Sequence, residues 1–185
     1  MKKLVPFLFS FFLLLSFTNL NAQCSSGPPC IPDCPADQFS PIQTIDVEIA
    51  PGCTLRVTYA SRIACGTYND YYLSGVRILT FQNCPFAASD VKTIVELAFA
   101  GLLDANPANF PPLPPGASCN TNWRAGKGAC WEQAGDCIVP CTPLVCCLNS
   151  YTVCIDASGN KTITPTGVIG PPPGSCTGSC IDVCN

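Results

Sequence analysis

The apolar positions of this chain change their period several times, and each change marks an element. From Thr44, Ile45, Val47 and Ile49 alternate with Asp46 and Glu48, the two-residue period of a half-buried strand. Pro51-Gly52 then supplies a turn, because Pro fixes φ at one position and Gly accepts positive φ at the next. Cys53, Leu55, Val57 and Tyr59 alternate with Thr54, Arg56 and Thr58 on the return, which predicts an antiparallel hairpin. A further strand is expected from about Tyr71 to Phe81. Its apolar phase slips by one at Ser74-Gly75, from Tyr71 and Leu73 to Val76 and Ile78, as a β-bulge requires.

Residues 90–104 change to the helical period: Val91, Ile94, Val95, Ala98 and Leu102 share one face, with Ser89 or Asp90 as the cap. Leu97, Phe99 and Leu103 widen that face, so the helix is expected to be covered on most sides. Lys92 and Glu96 argue against membrane insertion, and Asn106-Pro107 ends the helix. Pro107 to Gly116 holds five prolines in ten residues and predicts a stiff, extended surface crossing; docking of a proline-recognising partner is the alternative. Beyond it, Val145, Cys147, Tyr151, Val153 and Ile155 mark a strand. Asp156 to Asn160 makes a turn and Lys161 to Thr166 returns, a second hairpin.

The expected fold class is therefore α+β and β-rich: antiparallel strands and hairpins, one central α-helix, and irregular termini held by disulfides. The segments are a leader (1–22), an irregular N-terminal stretch (23–39), a strand-and-helix core (40–105), a Pro-rich crossing (106–118) and a cysteine-dense region (119–185). Residues 23–185 are expected to form one unit.

The leader is an export signal by its parts. Lys2 and Lys3 precede the apolar run Leu4 to Phe17, and Asn21-Ala22 places a small residue at the cut before Gln23. The run falls short of the ~20 apolar residues of a spanning helix, and Gln23 before Cys24 does not suit lipid anchoring. Removing both lysines takes the formal net charge from −3 to −5. Such a chain lacks the basic footprint of a nucleic-acid binder and the cationic cluster that draws proteins to anionic membranes.

Sixteen cysteines remain: Cys24, Cys30, Cys34, Cys53, Cys65, Cys84, Cys119, Cys130, Cys137, Cys141, Cys146, Cys147, Cys154, Cys176, Cys180 and Cys184. Residues 40–105 hold three of them and the flanks thirteen. Those flanks are rich in Gly, Pro, Ser and Asn and bury too little apolar surface to offset their chain entropy, so cross-links are expected to replace a core there. The N-terminal trio and the middle trio are each odd in number, so full pairing sends at least one bridge out of each. Connectivity is not readable from spacing. Cys146 and Cys147 point to opposite faces of a strand and are expected to take different partners rather than each other.

The chain contains no histidine, which removes Ser-His-Asp and Cys-His machinery, histidine metal sites and c-type haem attachment. There is also no C-x-x-C, and with export to an oxidising compartment the spacing of Cys176, Cys180 and Cys184 reads as disulfides and not as thiolate ligands. Ser89-Asp90-Val91-Lys92 and Ser158-Gly159-Asn160-Lys161 match S-x-x-K, but no S-D-N accompanies them and Lys161-Thr162 is followed by Ile163. Glu132 and Asp136 are a carboxylate pair that nothing in the sequence sets across a cleft. No cofactor, metal or catalytic residue is expected, and the chain reads as a non-enzyme.

Tyr59 to Tyr72 is the densest local feature. Tyr68, Asn69, Asp70, Tyr71 and Tyr72, with Trp123 and Trp131, are the candidate contacts for a surface glycan or protein, and buried aromatics with bonded polar tips are the competing reading. This stretch, with Cys130-Trp131 and the terminal cysteines, resembles small cysteine-rich secreted bacterial proteins over most of residues 23–185. The resemblance carries no activity or site. The expectation is a secreted structural or interaction module of the cell surface or matrix, able to assemble with itself, with the periplasm as the other oxidising location. A carbohydrate- or protein-binding module is the second reading, and a secreted enzyme or enzyme inhibitor the third.

Overall fold

The computed structural model describes residues 24–25, 29, 33–113, 118–141, 145–172 and 174–184. The export signal expected at 1–22, Cys30, and the end of the Pro-rich crossing at 114–117 lie outside the described residues.

One strand, β3 (Tyr68–Phe81), is the trunk of the sheet. It is buried on both faces over most of its length, so the polar Asn69, Asp70 and Ser74 are enclosed along with Tyr71, Leu73 and Val76. Along one edge it pairs antiparallel with β2 (Cys53–Ala64), which pairs in turn with β1 (Gln43–Ala50). Thr58 faces Gly75 and Tyr59 faces Leu73, so Ser74 is the extra residue of a bulge. The phase slip in the sequence stands where the ladder shifts. Gly52, at φ 82°, takes the positive φ that its turn needs.

The other edge of β3 is shared by two strands. Asn69 to Leu73 pair with Trp123 to Lys127 of β4 (Cys119–Gly128), and Val76 and Arg77 pair with Ile138 and Cys137 of β6 (Cys137–Pro140). The sheet forks between them. One branch continues from β4 to β7 (Cys146–Ile155) and β8 (Lys161–Ile169); the other runs from β6 to β5 (Cys130–Ala134) and β9 (Ile181–Asp182). The result is a curled sheet, mostly β with one helix among the described residues.

The sheet is mixed, which corrects the expectation of antiparallel pairing alone: β4 runs parallel to β3. The cause is the helix α1 (Val91–Ala105), which carries the chain back over the sheet between the two strands, as parallel neighbours require. Asp90 caps it by accepting from the Thr93 N–H, and Asn106 ends it in the left-handed region at φ 44°. Its buried Ile94, Val95, Ala98, Leu102 and Leu103 join Leu55, Val57, Tyr71 and Leu73 of the sheet in one apolar cluster. Each such Leu or Ile contributes about 1.5–3 kcal/mol on full burial.

The Pro-rich crossing is anchored more firmly than a surface strap. Phe110 is buried against Tyr71 and Trp123, with ring centroids 4.9 and 5.9 Å away. Asn106 Oδ1 accepts from the Tyr71 hydroxyl at 2.8 Å and from the Phe110 N–H at 3.0 Å.

The disulfides hold what this core does not. Cys53–Cys84 closes the base of the β2–β3 hairpin, and Cys119–Cys154 joins facing residues of β4 and β7. Cys24–Cys137 and Cys34–Cys65 carry the N-terminal segment onto the sheet. Cys130–Cys176 and Cys141–Cys180 lace the tail to the second branch, and Cys147–Cys184 ties its end to β7 of the first. Cys146 is also disulfide-bonded, so the adjacent Cys146 and Cys147 do not bridge each other. A small sulfur-lined cluster around Ala129, Cys130 and Cys141 packs under the tail cysteines, separate from the main core. Seven described bridges of this kind belong to a chain of an oxidising, extracellular or periplasmic compartment. No described helix is long and apolar enough to cross a membrane.

Candidate functional site

The aromatic residues singled out as ligand contacts lie inside. Tyr71, Tyr72, Trp123 and Trp131 are essentially without solvent exposure, Asn69 and Asp70 are buried, and Tyr68 is half-buried. Alternation along β3 sends Tyr71 toward the helix side, where its hydroxyl donates to Asn106 and accepts from the Ala108 N–H at 3.0 Å. Tyr72 lies on the other face, edge-on to Phe39, and burial pushes its hydroxyl pKa up to about 12. Trp131 donates to the Gly128 carbonyl at 2.7 Å. A ring closed in this way offers no face to stack on a sugar, so the exposed-aromatic surface is corrected to interior packing.

Asp70 belongs to an arrangement that the sequence did not announce. Arg62 of β2, Asp70 of β3 and Arg124 of β4 are register partners in three neighbouring strands, a row of plus, minus, plus across the sheet. Arg124 donates to both oxygens of Asp70 at 2.7 and 2.8 Å, and Arg62 Nε donates to Oδ2 at 3.0 Å. Asp33 completes the neutral set by accepting from Arg124 and, at 3.5 Å, from Arg62. The arginines also lie over aromatic faces, Arg62 at 4.4 Å from the Phe39 centroid and Arg124 at 4.0 Å from Tyr68. Burial works to lower the Arg124 pKa, but its hydrogen bonds to Asp70 and Asp33 outweigh that and carry it higher. Each charge is answered within the cluster. It seats the N-terminal segment, whose Asp33 and Asp37 carbonyls accept from Arg62 at 2.9 Å, and leaves nothing for a ligand.

Lys127 is different. It faces Leu73 across β3 and Cys147 across β7, so it stands in the middle of the sheet, 3% exposed, with its ammonium 5.6 Å from the Phe99 centroid of α1. No hydrogen bond or ion pair joins its ammonium to any described residue. Burial brings its pKa down to about 8, with Lys92 adding to the fall and Glu96 and Asp182 opposing it.

A cleft of about 240 Å³ opens beside it. Lys92, Glu96 and Phe99 line it from the helix, Asn149 and Tyr151 from β7, Pro165 from β8, and Val183 and Cys184 from the tail. Asn149 Nδ2 donates to the Tyr151 hydroxyl at 3.3 Å, while its Oδ1 is buried without a partner. Burial raises the Tyr151 pKa, against the hydrogen bond from Asn149. The Cys147–Cys184 bridge forms part of the wall, and the Val183 N–H donates to the Ala129 carbonyl at 2.9 Å, so the tail staple shapes the cleft.

This pocket escaped sequence reasoning because its polar residues come from three separated segments, α1, β4 and β7. A lysine between two glycines, Gly126-Lys127-Gly128, looks like a turn in sequence. Two groups have the spacing to hold a cation, Cys34 with Asp37 and Cys65, and Glu132 with Cys141 and Cys180. In each, the two cysteines are bonded to one another and have no thiolate to give, leaving one carboxylate apiece. Fold and site together define a disulfide-stapled mixed-sheet domain with a largely buried lysine, Lys127, at a cleft. No family model, curated protein or solved structure matches the chain.

Proposed function

We propose that this chain is a secreted, non-catalytic binding module in which a disulfide-stapled sheet holds a small-ligand cleft around Lys127. The observation that carries this reading is Lys127, a lysine only 3% exposed whose ammonium lines the cleft with no hydrogen bond to a described residue. Burial makes the charged form of Lys127 costly in the fold, and an anion that arrives in the cleft offsets that cost. The absence of histidine and the internal neutralisation of Asp70 favour binding over catalysis. Export fits the staples, which would keep the cleft shaped outside the cell.

The test is a screen of the oxidised protein by amide NMR against a mixed set of small acids, sugars, amines and alcohols. Saturable shifts centred on Lys127, Asn149 and Tyr151, lost in Lys127→Met, are expected. A cleft that no compound perturbs would end this reading.

Self-assembly at the cell surface is the second reading, and the exposed Val168 and Ile169 at the end of β8 support it. Against it, the tail cysteines bond within the chain. The edge strands are also blunted, β8 by Pro165 and β1 by Asp46 and Glu48. Sedimentation at rising concentration separates the two readings: a persistent monomer favours the binding module.

A further inference from the structure

The cleft specifies more than a negative charge. Lys127 offers one cation, and Asn149 Oδ1 offers one buried acceptor that lacks a donor. Lys127 pairs with Cys147, two residues from Asn149 along β7, so the two residues are diagonal neighbours on one face, roughly 7–8 Å apart with their Cβ atoms somewhat closer. One small molecule bridges them if its anionic group and its donor sit on adjacent atoms. The remaining wall is apolar: Phe99, Pro165, Val183 and the Cys147–Cys184 bridge.

Size narrows the class further. A 150 Å³ cavity accommodates benzene, so a cleft of about 240 Å³ takes roughly ten non-hydrogen atoms. A phosphate suits it poorly, since a dianion asks for several charged donors while the lining charges, Lys92 and Lys127 against Glu96, sum to a single positive one. We infer that the cleft binds a small aliphatic hydroxycarboxylate, its carboxylate on Lys127, its hydroxyl donating to Asn149 Oδ1 and its alkyl body against Phe99 and Val183. This deepens the binding-module reading and rests on it.

The charged and titratable groups that face the cleft are Lys92 and Glu96 from the helix, Tyr151 from β7 and Asp182 beside the tail wall. Lys127 titrates at about 8, so anion binding weakens as the pH rises past that value.

The experiment uses the full oxidised protein at pH 6.5 and three probes: 2-hydroxy-3-methylbutanoate, 3-methylbutanoate, which lacks the hydroxyl, and the neutral 2-hydroxy-3-methylbutanamide. The hydroxy acid is expected to shift the Lys127, Asn149 and Tyr151 signals saturably. Losing the hydroxyl should weaken binding about 5-fold and losing the charge about 10-fold or more, the ordinary worth of a neutral and a charge-assisted hydrogen bond. Asn149→Ala should erase the first difference and Lys127→Met the second, each in a variant shown to melt cooperatively. Moving from pH 6.5 to pH 9.5 should weaken the acid and leave the amide unchanged. Equal binding of acid and amide, or no shift at these residues, overturns the inference. If another compound of the mixed set occupies the cleft while the hydroxy acid does not, the ligand class falls and the binding module stands; an empty cleft throughout removes both.

Discussion

Gly75 lies directly beneath the main chain of Cys24: a Cβ built on Gly75 would fall inside the van der Waals shell of the Cys24 carbonyl. The contact marks the fork of the sheet, where β4 leaves the edge of β3, β6 takes over, and Cys24 is bonded to Cys137 on the incoming strand. Gly75→Ala is therefore expected to push the N-terminal segment off the sheet and to cost about 1–3 kcal/mol, as overpacking does. Thermal melting of the oxidised variant, with the reducibility of Cys24–Cys137 measured beside it, checks this. An unchanged melt and an equally protected bridge would show that the segment yields freely.

The Arg62–Asp70–Arg124 row separates two effects that a single substitution confuses. Asp70→Asn leaves two buried guanidinium groups short of their counter-charge and is expected to destabilise by about 3–5 kcal/mol in urea unfolding. The triple replacement Arg62→Met, Asp70→Leu, Arg124→Met removes the charges together and should recover most of that loss at the sheet, while freeing the segment around Asp33. A triple variant no more stable than Asp70→Asn would mean that the ion pairs contribute net stability.

Lys127 makes stability depend on pH in an unusual direction. Its folded pKa, about 8, lies below the ordinary 10.5, so between these values the unfolded chain holds a proton that the folded chain has released. Stability tied to this group therefore rises with pH through that window, and its cost is fully present below pH 8. The shift corresponds to about 3 kcal/mol. Lys127→Met is expected to raise Tm at pH 7 by several degrees, at roughly 2–4 °C per kcal/mol, and by much less at pH 10. Equal gains at both pH values would mean that the lysine keeps its proton in the fold.

The strands and the helix of the first half were legible because one side of each is apolar. Ile45, Val47 and Ile49 in β1, the slip at Ser74, and the face through Val91 and Leu102 each carry their period openly. The second hairpin, β7 to β8, was legible for the same reason. β4 to β6 were not. β4 buries Arg124 and Lys127 where a strand normally shows Val or Ile, and β5 and β6 are too short to display a period. The parallel pairing followed from β4, so it was hidden as well. Tyr71, Tyr72 and Trp123 illustrate the same ambiguity in reverse, since aromatics with polar tips serve equally in a core and on a binding surface until burial is known.

The account depends on sulfur closing this chain upon itself, so that the tail is held against the cleft wall. Non-reducing peptide mapping, on protein prepared from an equal mixture of isotopically light and heavy chains, tests that most directly. The expected result is Cys24–Cys137, Cys34–Cys65, Cys53–Cys84, Cys119–Cys154, Cys130–Cys176, Cys141–Cys180 and Cys147–Cys184, every linked pair light-light or heavy-heavy. Mixed light-heavy pairs at Cys176, Cys180 or Cys184, or alkylatable thiols at those positions, would contradict it.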